Sequence, residues 1–165
     1  MIKVVGCAFV VLACSLLGFY KAKEKEDRAK ELSNVETSLA IVKNEIQFSL
    51  TPLPEAFLLA KQGNAGKIFE AAASFMRQGQ TAAESYIKAL DTVRLPFKKR
   101  DWQVLLAFGA GLSAPDKEGQ LTNLALCEKR IGAAALEAAR DRDKCVKIYR
   151  SCGVLFGLVL SILML

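Results

Sequence analysis

The sequence contains no histidine. That absence removes Ser-His and Cys-His nucleophile systems, and any zinc site that mixes imidazole with thiolate. The five cysteines are an odd number, and none forms a C-x-x-C pair, which argues against a closed disulfide framework. Cys7, Cys14 and Cys152 lie in apolar segments, while Cys127 and Cys145 lie on a predicted helix. They read as small buried hydrophobes in a reducing compartment. No alternating strand pattern of any length is present, and no internal repeat.

Phosphate and dinucleotide loops are missing too. Gly63-Asn-Ala-Gly-Lys67 has too few residues between its glycines for a P-loop, and Ile68 follows the lysine where Ser or Thr is required. Gly109-Ala-Gly111 lacks a third glycine and lies within a helical pattern. Carboxylate pairs such as Glu24/Glu26 and Glu36/Glu45 fall on polar helix faces, where solvation accounts for them. The expectation is a protein that is not an enzyme, with no catalytic residues, metal, cofactor or small-molecule substrate.

What is present is a chain of 165 residues, enough for one domain of ordinary size, with 52% apolar residues, the excess sitting mainly at the two ends. The net charge of +6 suggests an acidic partner, and anionic lipid headgroups are the nearest candidate. Nucleic acid is not expected, because Lys and Arg are interspersed with Glu and Asp, as in Lys21-Ala-Lys-Glu-Lys-Glu-Asp-Arg28.

Val4–Tyr20 is apolar throughout apart from Ser15 and is flanked by Lys3 and Lys21. As a helix it rises about 25 Å, close to the thickness of a hydrocarbon core, and reads as an uncleaved anchor. A lipobox-like Val11-Leu-Ala-Cys14 keeps an alternative open, an extracytoplasmic lipoprotein anchored through Cys14. Cys152–Leu165 reaches only about 21 Å, so a complete crossing requires counting back to Val146, with Lys147 and Arg150 reaching for headgroups. Small residues four apart, Cys14 with Gly18 and Gly153 with Gly157, are candidates for helix packing in lipid. Lys21, Lys23, Lys25, Arg28 and Lys30 follow the first anchor, and Arg140, Arg142, Lys144, Lys147 and Arg150 precede the second. By the positive-inside bias, the domain between them is cytoplasmic.

Within that domain, Lys21–Leu50 reads as one helix with a seam at Leu32, Val35, Leu39, Val42 and Ile46. Thr51 is the expected cap of the next helix, with Pro52 at its first position and Pro54 still in its first turn. Leu53, Ala56, Phe57 and Ala60 mark its inner face, and Gly63–Gly66 breaks it. Ile68, Ala72 and Phe75 line a helix that stops at Gly79. Thr81 caps another carrying Ala83, Ile87 and Leu90, ended by Leu95-Pro96. Trp102–Leu112, apolar nearly throughout, reads as the buried central helix. From Asp116 to Arg150 a long helix carries Leu121, Leu124, Ile131, Ala135 and Ala138. The fold class expected is all-α, a cytoplasmic bundle of about six helices (21–150) between an N-terminal (1–20) and a C-terminal (151–165) transmembrane helix.

This order of segments, with Glu45-Ile46, Thr51-Pro52-Leu53 and Glu55-Ala56 at the corner, resembles the stage III sporulation protein AB family. Phe108-Gly109, Leu112, Asp116, Gln120, Glu137-Ala138, Gly153, Gly157 and Ile162-Leu163 continue the likeness over nearly the whole length. Ser113 departs from a usual glycine, and Pro54 from a more ordinary helix residue, both at helix ends. The resemblance implies a component of the multiprotein, secretion-like channel that joins mother cell and forespore in endospore formation. It implies the other stage III channel proteins as partners. The domain would be similar to the F-type platform protein of type II secretion, and by that analogy would dock the AA ATPase from the mother-cell side of the membrane. Glu45, Thr51, Leu53, Glu55, Asp116 and Gln120 are the candidate partner contacts.

Overall fold

Long stretches without glycine or proline, rich in Ala, Leu, Lys and Glu, favour helix. The computed structural model describes the backbone of residues 2–49, 51–114 and 116–164, and the side chains of 13, 15–49, 51–114, 116–146, 148 and 151. Among the described residues six α-helices follow in order: α1 Ile2–Asn44, α2 Leu53–Leu59, α3 Gly66–Arg77, α4 Ala82–Thr92, α5 Lys99–Gly111 and α6 Lys117–Met164. A π-helical turn, Glu45–Ser49, closes α1. Among the described residues there is no strand.

The chain divides into two compact units, residues 1–29 with 137–165, and residues 30–136. In the first, Ala22, Ala29 and Ala138 are buried, while Leu16, Leu17, Phe19 and Tyr20 stand exposed on α1. Among the described residues no helix is long and apolar enough to cross a membrane. The expected anchors fall mostly (Val4–Tyr20) or wholly (Cys152–Leu165) outside the described side chains.

The second unit holds the core. Leu32, Val35, Leu39 and Val42 of α1 are fully buried, with Ile46 nearly so, as the 3-4 seam predicts. Leu124, Cys127, Ile131 and Ala135 form the inner stripe of α6, with Leu121 half-buried. Within this unit a Lys43–Glu128 ion pair joins α1 to α6. In sequence order α2 packs on α3, α3 on α4, and α4 on α5.

An aromatic cluster ties these four together. Tyr86 of α4 meets Phe108 of α5 edge-on at 5.0 Å between ring centres, and lies 6.1 and 6.0 Å from Phe57 and Phe69. Phe57 and Phe69 meet at 5.3 Å with their planes 84° apart. Such edge-to-face pairs add about 0.5–1.5 kcal/mol each beyond the area they bury. The close approach depends on Gly109, since a Cβ there would stand 2.8 Å from Tyr86 Cδ1. The small residue that looked like a fragment of a nucleotide loop is therefore a packing device.

Three sequence expectations need correction. Thr81 does cap α4, with Glu84 completing a capping box, but the inner face of the helix is Ser85, Tyr86, Ala89 and Leu90. Ala83 is half-buried and Ile87 exposed, because the large ring at Tyr86 claims the interior and rotates the helix about one residue. The helix ends at Thr92, before Leu95-Pro96. α5 is not buried all round: Asp101, Leu105, Phe108 and Gly109 face inward, while Leu106 is 45% exposed. Third, Thr51 does not cap α2. Pro52 occupies the cap position with no side-chain hydrogen bond, and the Thr51 hydroxyl turns to Glu45 instead.

Candidate functional site

The corner after α1 is built by the π turn. Its wider coil lets the Thr51 N–H donate to the Glu45 carbonyl at 3.2 Å, six residues back. The Thr51 Oγ1 donates to Glu45 Oε2 at 2.8 Å, so the two candidate residues close the corner on each other. Pro52 then stands extended (φ −55°, ψ 142°), and its carbonyl accepts the N–H groups of Glu55 and Ala56 at 3.0 Å. This starts α2 without a hydroxyl cap. Leu53 is half-buried and Glu55 exposed in the first turn, where a carboxylate complements the helix dipole.

Asp116 and Gln120 also make local bonds. Asp116 Oδ2 accepts the Gly119 N–H at 2.8 Å and caps α6. Gln120 Nε2 donates to the Ala114 carbonyl at 3.2 Å and closes the connection from α5. Further along α6, Asn123 Nδ2 donates to the Phe108 carbonyl at 2.9 Å.

The two candidate stretches, far apart in sequence, are neighbours in space. Lys117 Nζ donates to the Gln47 carbonyl at 3.4 Å, which places the start of α6 against the π turn. Beside them stands Phe48, 74% exposed. Sequence reasoning passed over Phe48, although it lies two residues beyond the Ile46 seam position, where an apolar residue cannot share the buried face. Of the candidate contacts, Glu45, Thr51, Asp116 and Gln120 shape the corner, while Glu55, with Phe48, is presented outward. Of the candidate packing residues, Gly18 is half-buried on α1; the side chains at Cys14, Gly153 and Gly157 lie outside the described residues.

Sequence reasoning also missed a buried acid. Glu31 on α1, 5% exposed, accepts the Ala65 N–H at 2.9 Å, Asn34 Nδ2 at 3.2 Å and Asn64 Nδ2 at 3.4 Å. It fixes the turn between α2 and α3, where Gly63 takes φ +58°. Only its spacing, one residue before Leu32 of the seam, distinguishes it from the solvated acids around it.

Burial pushes the Cys127 thiol from its ordinary value of 9.0 up to about 12, with Arg130 pulling down and Glu128 pushing up less strongly. Burial also holds the Tyr86 hydroxyl well above 10.0, with a smaller push from Cys127. A protonated thiol is a poor nucleophile and a poor metal ligand.

Residues 3–165 match the family model for stage III sporulation protein AB. The stage III sporulation protein AB of Bacillus subtilis (strain 168) is 30% identical over 173 residues, with 100% of both chains covered. A solved structure of stage III sporulation protein AB is similar with a TM-score of 0.63, over 72% of this chain and 98% of that one; at 22% identity this likeness speaks to the fold. The description shared by these relatives names a stage of sporulation and no reaction. A match that runs from residue 3 to the last residue, on a fold shared with a solved relative, makes this chain a member of the stage III sporulation protein AB family.

Proposed function

We propose that the chain is a non-enzymatic, membrane-anchored component of the secretion-like channel between mother cell and forespore, and that its helical domain is a platform for a cytoplasmic ATPase. The observation that carries this reading is the meeting of the corner with the start of α6, joined by Lys117 and Gln47, where Phe48 and Glu55 face outward. An exposed aromatic beside an exposed carboxylate, on a corner held by its own hydrogen bonds, is a preorganised protein contact. Both apolar ends act as membrane anchors in this reading. The exposed Leu16, Leu17, Phe19 and Tyr20 support the first, because lipid covers such side chains without loss. The basic residues beside each apolar run keep the domain on the cytoplasmic, mother-cell side.

The test uses the full-length chain with the operon's AA ATPase as bait. Phe48→Ser with Glu55→Lys abolishes capture while the melting temperature stays unchanged; capture that persists overturns the platform reading. Cysteine labelling from outside intact cells, at position 2, in the 63–66 turn and after residue 165, is expected to mark both ends and spare the turn. The lipoprotein reading predicts a labelled turn, and an intact mass that has lost the 13 residues before Cys14 and gained lipid.

A further inference from the structure

The connection between α4 and α5 breaks the mixed charge pattern of the rest of the chain. Four of the seven residues 94–100 are cationic, Arg94, Lys98, Lys99 and Arg100, and all four are exposed. None of the seven is acidic. The acid that follows, Asp101, is 2% exposed and accepts the Lys98 N–H at 2.9 Å, so its charge is turned inward.

Beside these cations lies an open groove of about 520 Å³, walled by Leu90, Leu95, Trp102 and Leu106, with Asp91 and Arg94 at its polar edge. Phe97 packs on Trp102 at 5.5 Å and fixes the indole in the wall. The connection is extended at both ends, Val93 at φ −121°, ψ 130° and Lys98 at φ −73°, ψ 159°. Among the described residues, the backbone N–H groups of Arg94, Leu95 and Phe97 make no hydrogen bond within the chain.

The geometry points to a docking groove for a peptide segment of a partner protein, in extended form, that inserts a bulky apolar side chain flanked by Asp or Glu. The apolar wall takes the side chain and the cations take the carboxylates. The unpaired N–H groups offer main-chain hydrogen bonds of the kind used in strand addition. Charge complementarity selects an acidic partner, and the concavity selects a peptide over a bilayer, since a flat lipid surface cannot fill a hollow of this size. The groove is independent of the corner at Glu45–Glu55.

Trp102 is the one tryptophan of the chain, so its emission reports on the groove in the unmodified protein. Short random peptides are displayed, selected on the full-length chain in neutral detergent, and resynthesised without tryptophan. The expected result is enrichment of Asp and Glu around Leu or Phe, with a shift of Trp102 emission on binding. Arg94→Glu with Lys99→Glu, and separately Leu106→Asn, weaken binding about tenfold or more without changing the melting temperature. A selection that returns no binder, or binders without acidic enrichment, overturns the proposal, as do binders indifferent to both variants. An emission shift caused by phosphatidylglycerol vesicles and not by phosphatidylcholine vesicles, with no peptide added, also overturns it and assigns the cations to a membrane surface.

Discussion

Two connections in the helical domain meet the same requirement in opposite ways. The turn at residues 61–65 folds onto α1 and gives its Ala65 N–H and Asn64 amide to the buried carboxylate of Glu31. Among the described residues, the connection at 93–98 leaves the N–H groups of Arg94, Leu95 and Phe97 without a hydrogen bond within the chain and sets them beside cations. Backbone polar groups must find a partner in protein or water. A turn that finds its partners inside the chain belongs to the architecture. One that leaves them in water keeps them for another molecule.

The largest effect that should separate the two is the loss of Glu31. Glu31→Ala removes the acceptor for a buried N–H, and we expect a loss of about 3 kcal/mol in chemical denaturation of the full-length chain. Glu31→Gln keeps a carbonyl acceptor and should lose less than half as much. If the alanine variant loses under about 1 kcal/mol, the turn is held by something else and the contrast fails.

Next comes the backbone of the same turn. Gly63 has φ +58°, and a Cβ there would lie 2.0 Å from Asn34 Nδ2. Gly63→Ala should therefore lower stability by about 1–2 kcal/mol, through strain and displacement of Asn34 together. The measurement is the denaturation midpoint at constant slope.

A smaller change, of opposite sign, tests the rule that buried polar groups require partners. The Tyr86 hydroxyl is buried among aromatic rings and has no hydrogen-bond partner among the described residues. Tyr86→Phe removes that hydroxyl and should raise stability by about 1 kcal/mol. The same residue shapes the alkaline limb. Burial raises the Tyr86 and Cys127 values in the folded state, so the unfolded chain releases protons first. Their contribution is complete below pH 9.0, the ordinary thiol value, and is lost as pH rises from there towards about 12. Tyr86→Phe should make that decline shallower, and a decline of unchanged slope would rule the hydroxyl out.

The smallest effect is expected at the open connection. Arg94→Glu with Lys99→Glu should change stability by no more than about 0.5 kcal/mol, because exposed side chains without ordered partners contribute little. A large loss there would mean that the cations hold the domain together.

Much of this was legible in the residues. The seam Leu32–Ile46 and the stripe Leu124–Ala135 repeat at helical spacing, and their apolar residues are large enough to leave no choice of face. The Thr81–Glu84 capping box was readable because Thr followed three residues later by Glu satisfies two N–H groups reciprocally. The face of α4 was not readable, since Tyr86 and Ile87 are adjacent and both suit an interior. Packing against Phe57, Phe69 and Phe108 settled it. At the corner, Thr51 has one hydroxyl and two possible partners. The π turn brought Glu45 within 2.8 Å and drew it away from α2.

The sequence by itself determined the helical class, the inner faces of α1 and α6, and the absence of histidine chemistry, because periodicity and composition act over short range. Tertiary structure alone decided that Gln47 lies beside Lys117, that Glu31 serves a turn 34 residues away, and that the cations of 94–100 border an apolar groove. Each of these depends on how helices of similar pattern pack. That packing is set by the shapes of a few large side chains and by which polar groups must be satisfied once water has left.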